Sequence, residues 1–554
     1  MYRQLELFER DTKDMTSHKA ESYTGISGMH KYWSKKPHNI VRDLILRYSD
    51  VGDIVLDPFC GSGISITESI FTKRKAVGID INPSAVFITK QMIIKIQTEL
   101  LQEEFRKIEA DVKGKINSLY GVKRINRTYV GSHYLWENGK LTEVWYKNGK
   151  TKVIESPTEA DLKLAQTFSY EEIPYYHPKN AFFHNLRINA KRENHIYDLF
   201  TPRNLMALSL LMHRIEQIDN IEIKELLKFC FTAAAGQASK MVFVVKQRGK
   251  FNDKARENKG KEVGSWVIGY WIPNEHFEIN VWNCFENKYK KIFKAKKEQE
   301  NAKYSITEAK KFAELLDITS SRNLLLVNEP AQKFLKEISD NSIDYIITDP
   351  PHGDRQPYLE LSMMWNSWLK KEVNYDDEIV ISDSVDRNKD IHNYYLLLKE
   401  VFSEIERILK PDHLFTLMFN SLDDETWMNL VTLMSRLKFE LETIEALEYS
   451  ANSVVQDTRG AGLKSDFILT FKKNENKISN NVELISMQSN RQYIINLIRD
   501  NLKNRIDGLE TYQIINLLVH NLLQQNKFIK LSEILDMLKD EFKKKGYKWI
   551  MEEI

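Results

Sequence analysis

The sequence predicts an α/β protein: a seven-stranded sheet interrupted by a large α+β insert and followed by a helical tail. Three observations carry this. The apolar runs 53–57 (DIVLD) and 75–80 (KAVGID) are joined by a helical pattern, the strand–helix–strand order of a parallel sheet. That alternation stops near residue 90 and resumes only at 323–327 (NLLLV). The chain, at 554 residues, is several times a usual domain length, so an insert and a tail have room beside the core.

The elements follow in order. Residues 39–49 carry apolar positions at helical spacing, and 53–57 is a short buried strand that breaks at Pro58, Gly61 and Gly63. Residues 64–72 read as a helix, 75–80 as the second strand, and Pro83 opens another helix. After the insert come strands at 323–327 and 342–348, a helix over 393–409, and a strand at 413–419. A helix over 424–437 and strands at 439–447 and 466–471 complete the sheet. The last two strands are joined without a helix, so they are expected to pair antiparallel. Within 91–320, Asn138-Gly139 and Asn148-Gly149 sit between aromatic and β-branched runs, the signature of a small β-meander. Residues 203–242 read as two helices and 484–554 as amphipathic helix. The expected division is 1–90 and 321–475 as two parts of one core, 91–320 as the insert, and 476–554 as a helical accessory domain.

Composition narrows the function. Hydrophobic residues are 42% and charged residues 29%, an ordinary globular balance that excludes general disorder. The longest weakly charged stretch, 229–245, is too short and too polar to span a bilayer, and no apolar signal segment stands at the N-terminus. No membrane role and a cytoplasmic location are expected. The 3 cysteines, at 60, 230 and 284, have no CxxC spacing, so neither a disulfide framework nor a zinc ribbon is expected. Histidines lack ligand spacing, and no metal is expected. Residues 91–320 carry 38 Lys and Arg against 29 Asp and Glu, whereas the whole chain is nearly balanced at 80 against 78. A basic middle in an acidic frame points to a polyanionic partner for the insert. Lys246, Arg248, Lys250, Lys254, Arg256, Lys259 and Lys261 crowd one Gly/Asn/Lys-rich loop, which suits phosphate contact.

Three motifs carry chemistry. Asp57-Pro-Phe-Cys-Gly-Ser-Gly63 ends the first strand, where glycines let a ligand approach the backbone. It lacks the third glycine of a dinucleotide fingerprint and the G-K-[ST] of a P-loop. Asp80, at the tip of the second strand, can accept hydrogen bonds from ribose hydroxyls. Thr348-Asp-Pro-Pro-His352 ends the fourth strand. Two prolines remove donors and leave the Asp349 carboxylate and the Pro350 carbonyl as acceptors beside a flat ring. That set suits an exocyclic amine on a planar base.

With these residues in view, the sequence resembles the S-adenosylmethionine-dependent amino-methyltransferases of nucleic acids, over residues 28–90 and 322–472. DPFCGSG is similar to their cofactor loop, Asp80 to their ribose-binding acid, and DPPH to their catalytic loop. Tyr32-Trp-Ser-Lys-Lys-Pro37 is similar to the segment that closes over the methionine part. The resemblance implies a Rossmann-like methyltransferase sheet and cofactor contacts from Trp33, Asp57, Pro58, Phe59, Gly61, Gly63, Asp80 and Asn328. It implies catalysis by Asp349, Pro350, Pro351 and His352. Strand three ends Val327-Asn-Glu329, which leaves the adenine-contacting role open between Asn328 and Glu329. Asp198-Leu-Phe-Thr-Pro-Arg-Asn204 and Leu361-Ser-Met-Met-Trp365 resemble a group of bacterial and archaeal DNA methylases.

The implied substrate is double-stranded DNA with its target base flipped out, methylated at adenine N6. Lys246, Arg248, Lys250, Lys254 and Arg256 are the implied phosphate contacts, and a restriction-system partner is a further implication. Cytosine N4, a transfer-RNA guanine-N2 enzyme and a non-catalytic DNA-binding module are the rival readings. Cytosine C5 chemistry is excluded, because no Pro-Cys nucleophile pair occurs.

Overall fold

A computed structural model describes residues 18–550, apart from 126, 247–260, 267–268, 352–355, 420–423, 449–465, 479–480, 504–507 and 546–547. The central sheet contains β1 (His18–Lys19), β2 (Ile54–Asp57), β3 (Lys75–Ile79) and β4 (Leu324–Val327). It continues with β5 (Ile343–Thr348), β6 (Leu409–Phe419), β7 (Phe439–Glu448) and β8 (Asp466–Lys473). Their order across the sheet is β1-β7-β8-β6-β5-β2-β3-β4. Seven of these coincide with the strands expected from apolar runs. The eighth, β1, corrects the seven-stranded expectation. It pairs parallel with Leu447 and Glu448 through two residues, too few to show any periodicity.

Strands β2 to β6 run parallel, and β8 lies antiparallel between β6 and β7. The chain winds from β2 toward β3 and β4 on one side, and from β5 toward β6 on the other. The carboxyl ends of β2 and β5 therefore meet at the switch point, where open α/β sheets bind their ligands. Side chains alternate between two cores. Val55, Tyr345, Ile347 and Met418 enter one, and Ile54, Leu56, Ile346 and Leu417 the other. Full burial of each such aliphatic side chain stabilises by about 1.5–3 kcal/mol.

Residues 121–279 build a second sheet in which Arg127–Glu137 and Lys140–Asn148 form a hairpin, extended by Thr151–Glu155. Asn138 and Gly139 both have positive φ, 51° and 77°, as a tight two-residue turn requires. The two expected helices are Pro202–Glu216 and Ile221–Ala235. Arg203, from the DLFTPRN stretch, is 1% exposed and bridges to Glu278 on the neighbouring strand. Thr201 caps that helix through Asn204 N, and Pro202 takes the first helical position, where its missing N–H costs nothing.

The C-terminal segment is not purely helical. Helices Met487–Leu502, Thr511–Gln524 and Leu531–Glu541 pack with an antiparallel sheet of Leu509–Glu510, Lys548–Ile550 and Lys543–Lys545. Helical periodicity hid these strands because each is only two or three residues long. The segment shares a core with one face of the central sheet, and the Asn516 side chain donates to the Ile444 carbonyl of β7. Among the described residues no helix is long and apolar enough to cross a membrane.

Candidate cofactor and catalytic cleft

One cleft sits over the carboxyl ends of β2, β3 and β5. Strand β2 delivers Asp57, which is buried. Its Oδ1 accepts from Phe59 N at 3.0 Å and from Thr348 Oγ1 at 2.7 Å, and its Oδ2 accepts from Ser65. Burial pushes its carboxyl up to about 6, although these donors pull the other way. Asp57 thus ties the end of β2 to the end of β5. Pro58, Phe59 and Gly61 line the cleft beside it. Gly61 has φ 49°, and a Cβ there would stand 3.2 Å from the Tyr32 ring. Gly63 does not line the cleft. Its φ is 74°, and a Cβ would lie 2.3 Å from Thr89 Oγ1, so its glycine lets the turn press against helix Pro83–Ile93.

Asp80 projects from the end of β3 and is held by backbone amides. Its Oδ2 accepts from Gly61 N and its Oδ1 from Asn82 N, both at 2.8 Å. Burial raises its carboxyl to about 7, with the Asp57 and Glu378 charges adding to the rise. Each oxygen retains a second lone pair for a ligand hydroxyl. Asn328 is exposed and does not line the cleft. Its amide donates to the carbonyls of Asp80 at 2.9 Å and Ile81 at 3.1 Å, so it braces the strand that carries Asp80. Pro330, Ala331 and Gln332 line that end of the cleft instead.

Asp349 and Pro351 reach the cleft from the end of β5, whereas Pro350 is not among the lining residues. Lys36 Nζ lies 3.1 Å from Asp349 Oδ2, with side chains 10% and 16% exposed. Tyr394 donates to the Pro351 carbonyl at 2.6 Å and fixes the turn from helix Ile391–Ile408. His352 lies outside the described residues.

The Tyr32–Pro37 segment forms the opposite wall. Trp33 stacks on Trp365 with centroids 4.9 Å apart and planes at 10°. Tyr32 accepts from Asn82 Nδ2 at 3.1 Å. The LSMMW stretch is thereby explained: Trp365 receives Trp33, and Ser362 Oγ accepts from Asn82 at 2.8 Å. Sequence reasoning missed Tyr358, Gln332, Asp377, Glu378 and Ile379, all of which line the cleft. They sit in turns or short helices without periodicity, and only their proximity to the catalytic loop or to β4 hinted at them. Gln332 Oε1 is buried with no hydrogen-bond partner among the described residues, while its amide donates to the Asp377 carbonyl at 2.9 Å. The cleft thus offers carboxylates at the ends of β2, β3 and β5, a buried acceptor nearby and partly apolar walls. That donor set fits a nucleoside with a hydrophobic, positively charged arm.

The candidate phosphate loop is only partly in view. Lys246 pairs with Glu275 at 2.7 Å, and Lys261 bonds Glu137 and lies 3.1 Å from Glu143. Arg248, Lys250, Lys254, Arg256 and Lys259 lie outside the described residues.

A switch-point cleft with an acid at the end of β3 and a Pro-Pro turn at the end of β5 defines a methyltransferase-type site. Comparison with known proteins agrees. The family model for N6/N4 DNA methylases matches residues 8–91 and 343–536, and the chain belongs to that family. It is 25% identical over 232 residues to the Type II methyltransferase M.MjaII of Methanocaldococcus jannaschii, covering 40% of this chain and 41% of that one. It is 30% identical over 136 residues to the Type II methyltransferase M.HpaI of Haemophilus parainfluenzae, covering 24% and 41%. It is 31% identical over 84 residues to the DNA adenine methyltransferase YhdJ of Escherichia coli, covering 15% and 28%. The chain thus spans about two fifths of the length of the first two relatives.

Proposed function

We propose that this protein methylates an exocyclic amine in double-stranded DNA, adenine N6, using S-adenosylmethionine. The observation that carries the reading is the meeting of Asp80 and the Asp349–Pro351 turn in one cleft, at the ends of β3 and β5 on either side of β2. Asp80 would accept from the ribose hydroxyls, Gln332 would receive a donor of the adenine, and Trp33 and Tyr32 would close over the methionine arm. When bound, the cofactor supplies an electrophilic methyl on a sulfonium.

The target amine would be the acceptor of that methyl, presented to the cofactor by the Asp349–Pro351 turn. Asp349 would accept a hydrogen bond from the amine, which favours a pyramidal, nucleophilic nitrogen and holds it in line. His352 stacks on the base. Alignment and charge placement account for most of the acceleration, so no strong base is required. The methylated amine would then lose its extra proton to solvent water. Residues 91–320 are the proposed target-recognition region, with the 246–256 basic residues on phosphates. The names of two relatives motivate a restriction enzyme as partner.

Adenine is preferred because the catalytic loop opens with Asp349, and one relative bears an adenine-specific name. The test is mass spectrometry of nucleosides from DNA incubated with enzyme and labelled cofactor, with transfer RNA as a parallel substrate. N6-methyladenine in DNA is expected. N4-methylcytosine alone would overturn the target assignment, and label confined to RNA would overturn the substrate.

A further inference from the structure

Residues 185–190 form a closed turn on the surface. Asn185 and Ala190 exchange backbone hydrogen bonds at 2.9 and 3.0 Å, and Asn189 adopts φ 57°. The turn holds Leu186 out to solvent, 63% exposed, with exposed Arg187 next to it. Scattered exposed apolar residues are ordinary, and Ile221, Ile318 and Ile478 are more exposed still. What sets Leu186 apart is how its turn is held.

Asn185 is 2% exposed and donates through Nδ2 to Glu360 Oε2 at 2.7 Å. Glu360, itself 1% exposed, accepts at Oε1 from Ser382 at 2.6 Å and from Arg387 at 2.8 Å. Arg387 bridges onward to Glu378. Glu378 lines the cleft and accepts from Leu359 N at 3.0 Å. Tyr270 adds a second tie, donating its N–H to the Ile188 carbonyl at 2.7 Å and its hydroxyl to the Glu360 carbonyl at 2.7 Å.

A second loop shares the same network. Its ends meet through Ser382 N to the Lys389 carbonyl, and it exposes Val385 by 75%. Arg192 bonds Asp386, joining the two loops. A fully buried Glu–Arg–Glu cluster carries a desolvation cost, so it is weak evidence for stability and better evidence for fixed geometry. Here it fixes two apolar tips relative to the wall of the catalytic cleft.

We infer that Leu186 and Val385 are wedge residues: they enter the DNA duplex beside the target base and hold the stack open while that base is in the cleft. The inference rests on the proposed transfer to duplex DNA. A base leaves the helix only if its unstacking is compensated, and inserted aliphatic side chains do this in proteins that kink or open DNA. Rigid mounting on Glu360 keeps the wedge in register with the cleft that receives the base.

The test compares kcat/KM for methyl transfer to two duplexes carrying the mapped site. In one the target base is paired, and in the other it faces an abasic position and needs no unpairing. The Leu186→Ala/Val385→Ala double variant should lose about tenfold on the paired duplex and little on the abasic one. Leu186→Met in place of Leu186→Ala should recover most of the loss, because apolar volume is kept. A double variant with the wild-type ratio between the two duplexes overturns the wedge, as does an equal loss on both. Wild-type enzyme that methylates neither duplex overturns the transfer reading instead, so the two failures are distinct. Thermal melting of the variants confirms folding.

Discussion

Two acidic residues of the cleft, Asp80 and Asp349, are held in opposite ways. Asp80 is gripped by two backbone amides, Gly61 N and Asn82 N, which cannot move without unwinding the turns around them. Asp349 is met by a side chain, Lys36, from a distant segment. A backbone grip fixes a carboxylate for a ligand that always arrives in one pose. A side-chain grip can let go when an amine competes for the same oxygen. On the proposed reading, the cofactor end would be rigid by construction and the base end adjustable.

Four predictions bear on that contrast. The largest effect is expected for Asp349→Ala, which should lower methyl transfer about a thousandfold while calorimetry shows cofactor binding largely kept. Loss of cofactor binding in a folded Asp349→Ala would erase the division between the two ends. Asp80→Ala should instead weaken cofactor binding about thirtyfold, or about 2 kcal/mol, through lost charge-assisted hydrogen bonds.

The second prediction, on Asp80, extends to pH. Burial pushes its folded pKa up to about 7, well above the ordinary aspartate value of 3.8. The folded state therefore holds a proton that the unfolded state has released, and this group's contribution to stability falls as pH rises from about 4 to about 7. The melting temperature of Asp80→Asn should gain on wild type across that window; a constant difference would show that Asp80 is not the group responsible. Above pH 7 the ionised carboxylate is a pure acceptor, so cofactor binding should tighten as pH passes through that value. The third prediction concerns the turn that supplies the rigid grip. Gly63→Ala should cost about 2–4 kcal/mol from left-handed strain and overlap with Thr89. Thr89→Ala on that background should restore part of it in denaturant melts.

The smallest effect is expected for the basic residues of the insert. Neutralising Lys250, Lys254 and Arg256 should flatten the salt dependence of DNA binding by roughly 0.9 per lost phosphate contact. An unchanged slope would assign those residues to solvent alone.

Seven strands of the central sheet were legible in the sequence because buried strands read as apolar runs, continuous in the parallel ones, as in 343–348 (IDYIIT). The cofactor turn and the Pro-Pro turn were legible because glycine and proline constrain the backbone wherever they stand. Gly63 and Asn328 show the limit of that reasoning. Both belong to the right turns, yet one packs against Thr89 and the other braces Asp80 from outside. A motif places a turn, but only the packing shows which of its atoms face the ligand. Gln332 and Glu378 were illegible for the converse reason: they reach the cleft from segments with no period and no special backbone. The strands of the C-terminal segment escaped notice because runs of two or three residues are shorter than any repeat.

The pairing of β1 with the end of β7 has a consequence for solubility. Strand β7 closes one side of the sheet, and an uncovered edge of that length is a template for another chain. Two residues of β1 cover only Leu447 and Glu448. Farther along, the C-terminal segment takes over, with Asn516 occupying the Ile444 carbonyl. The segment that looks like an appendage therefore also acts as a guard rail. Trimming it away would bare the rest of β7, and the shortened protein should self-associate edge to edge before any loss of its fold is detected.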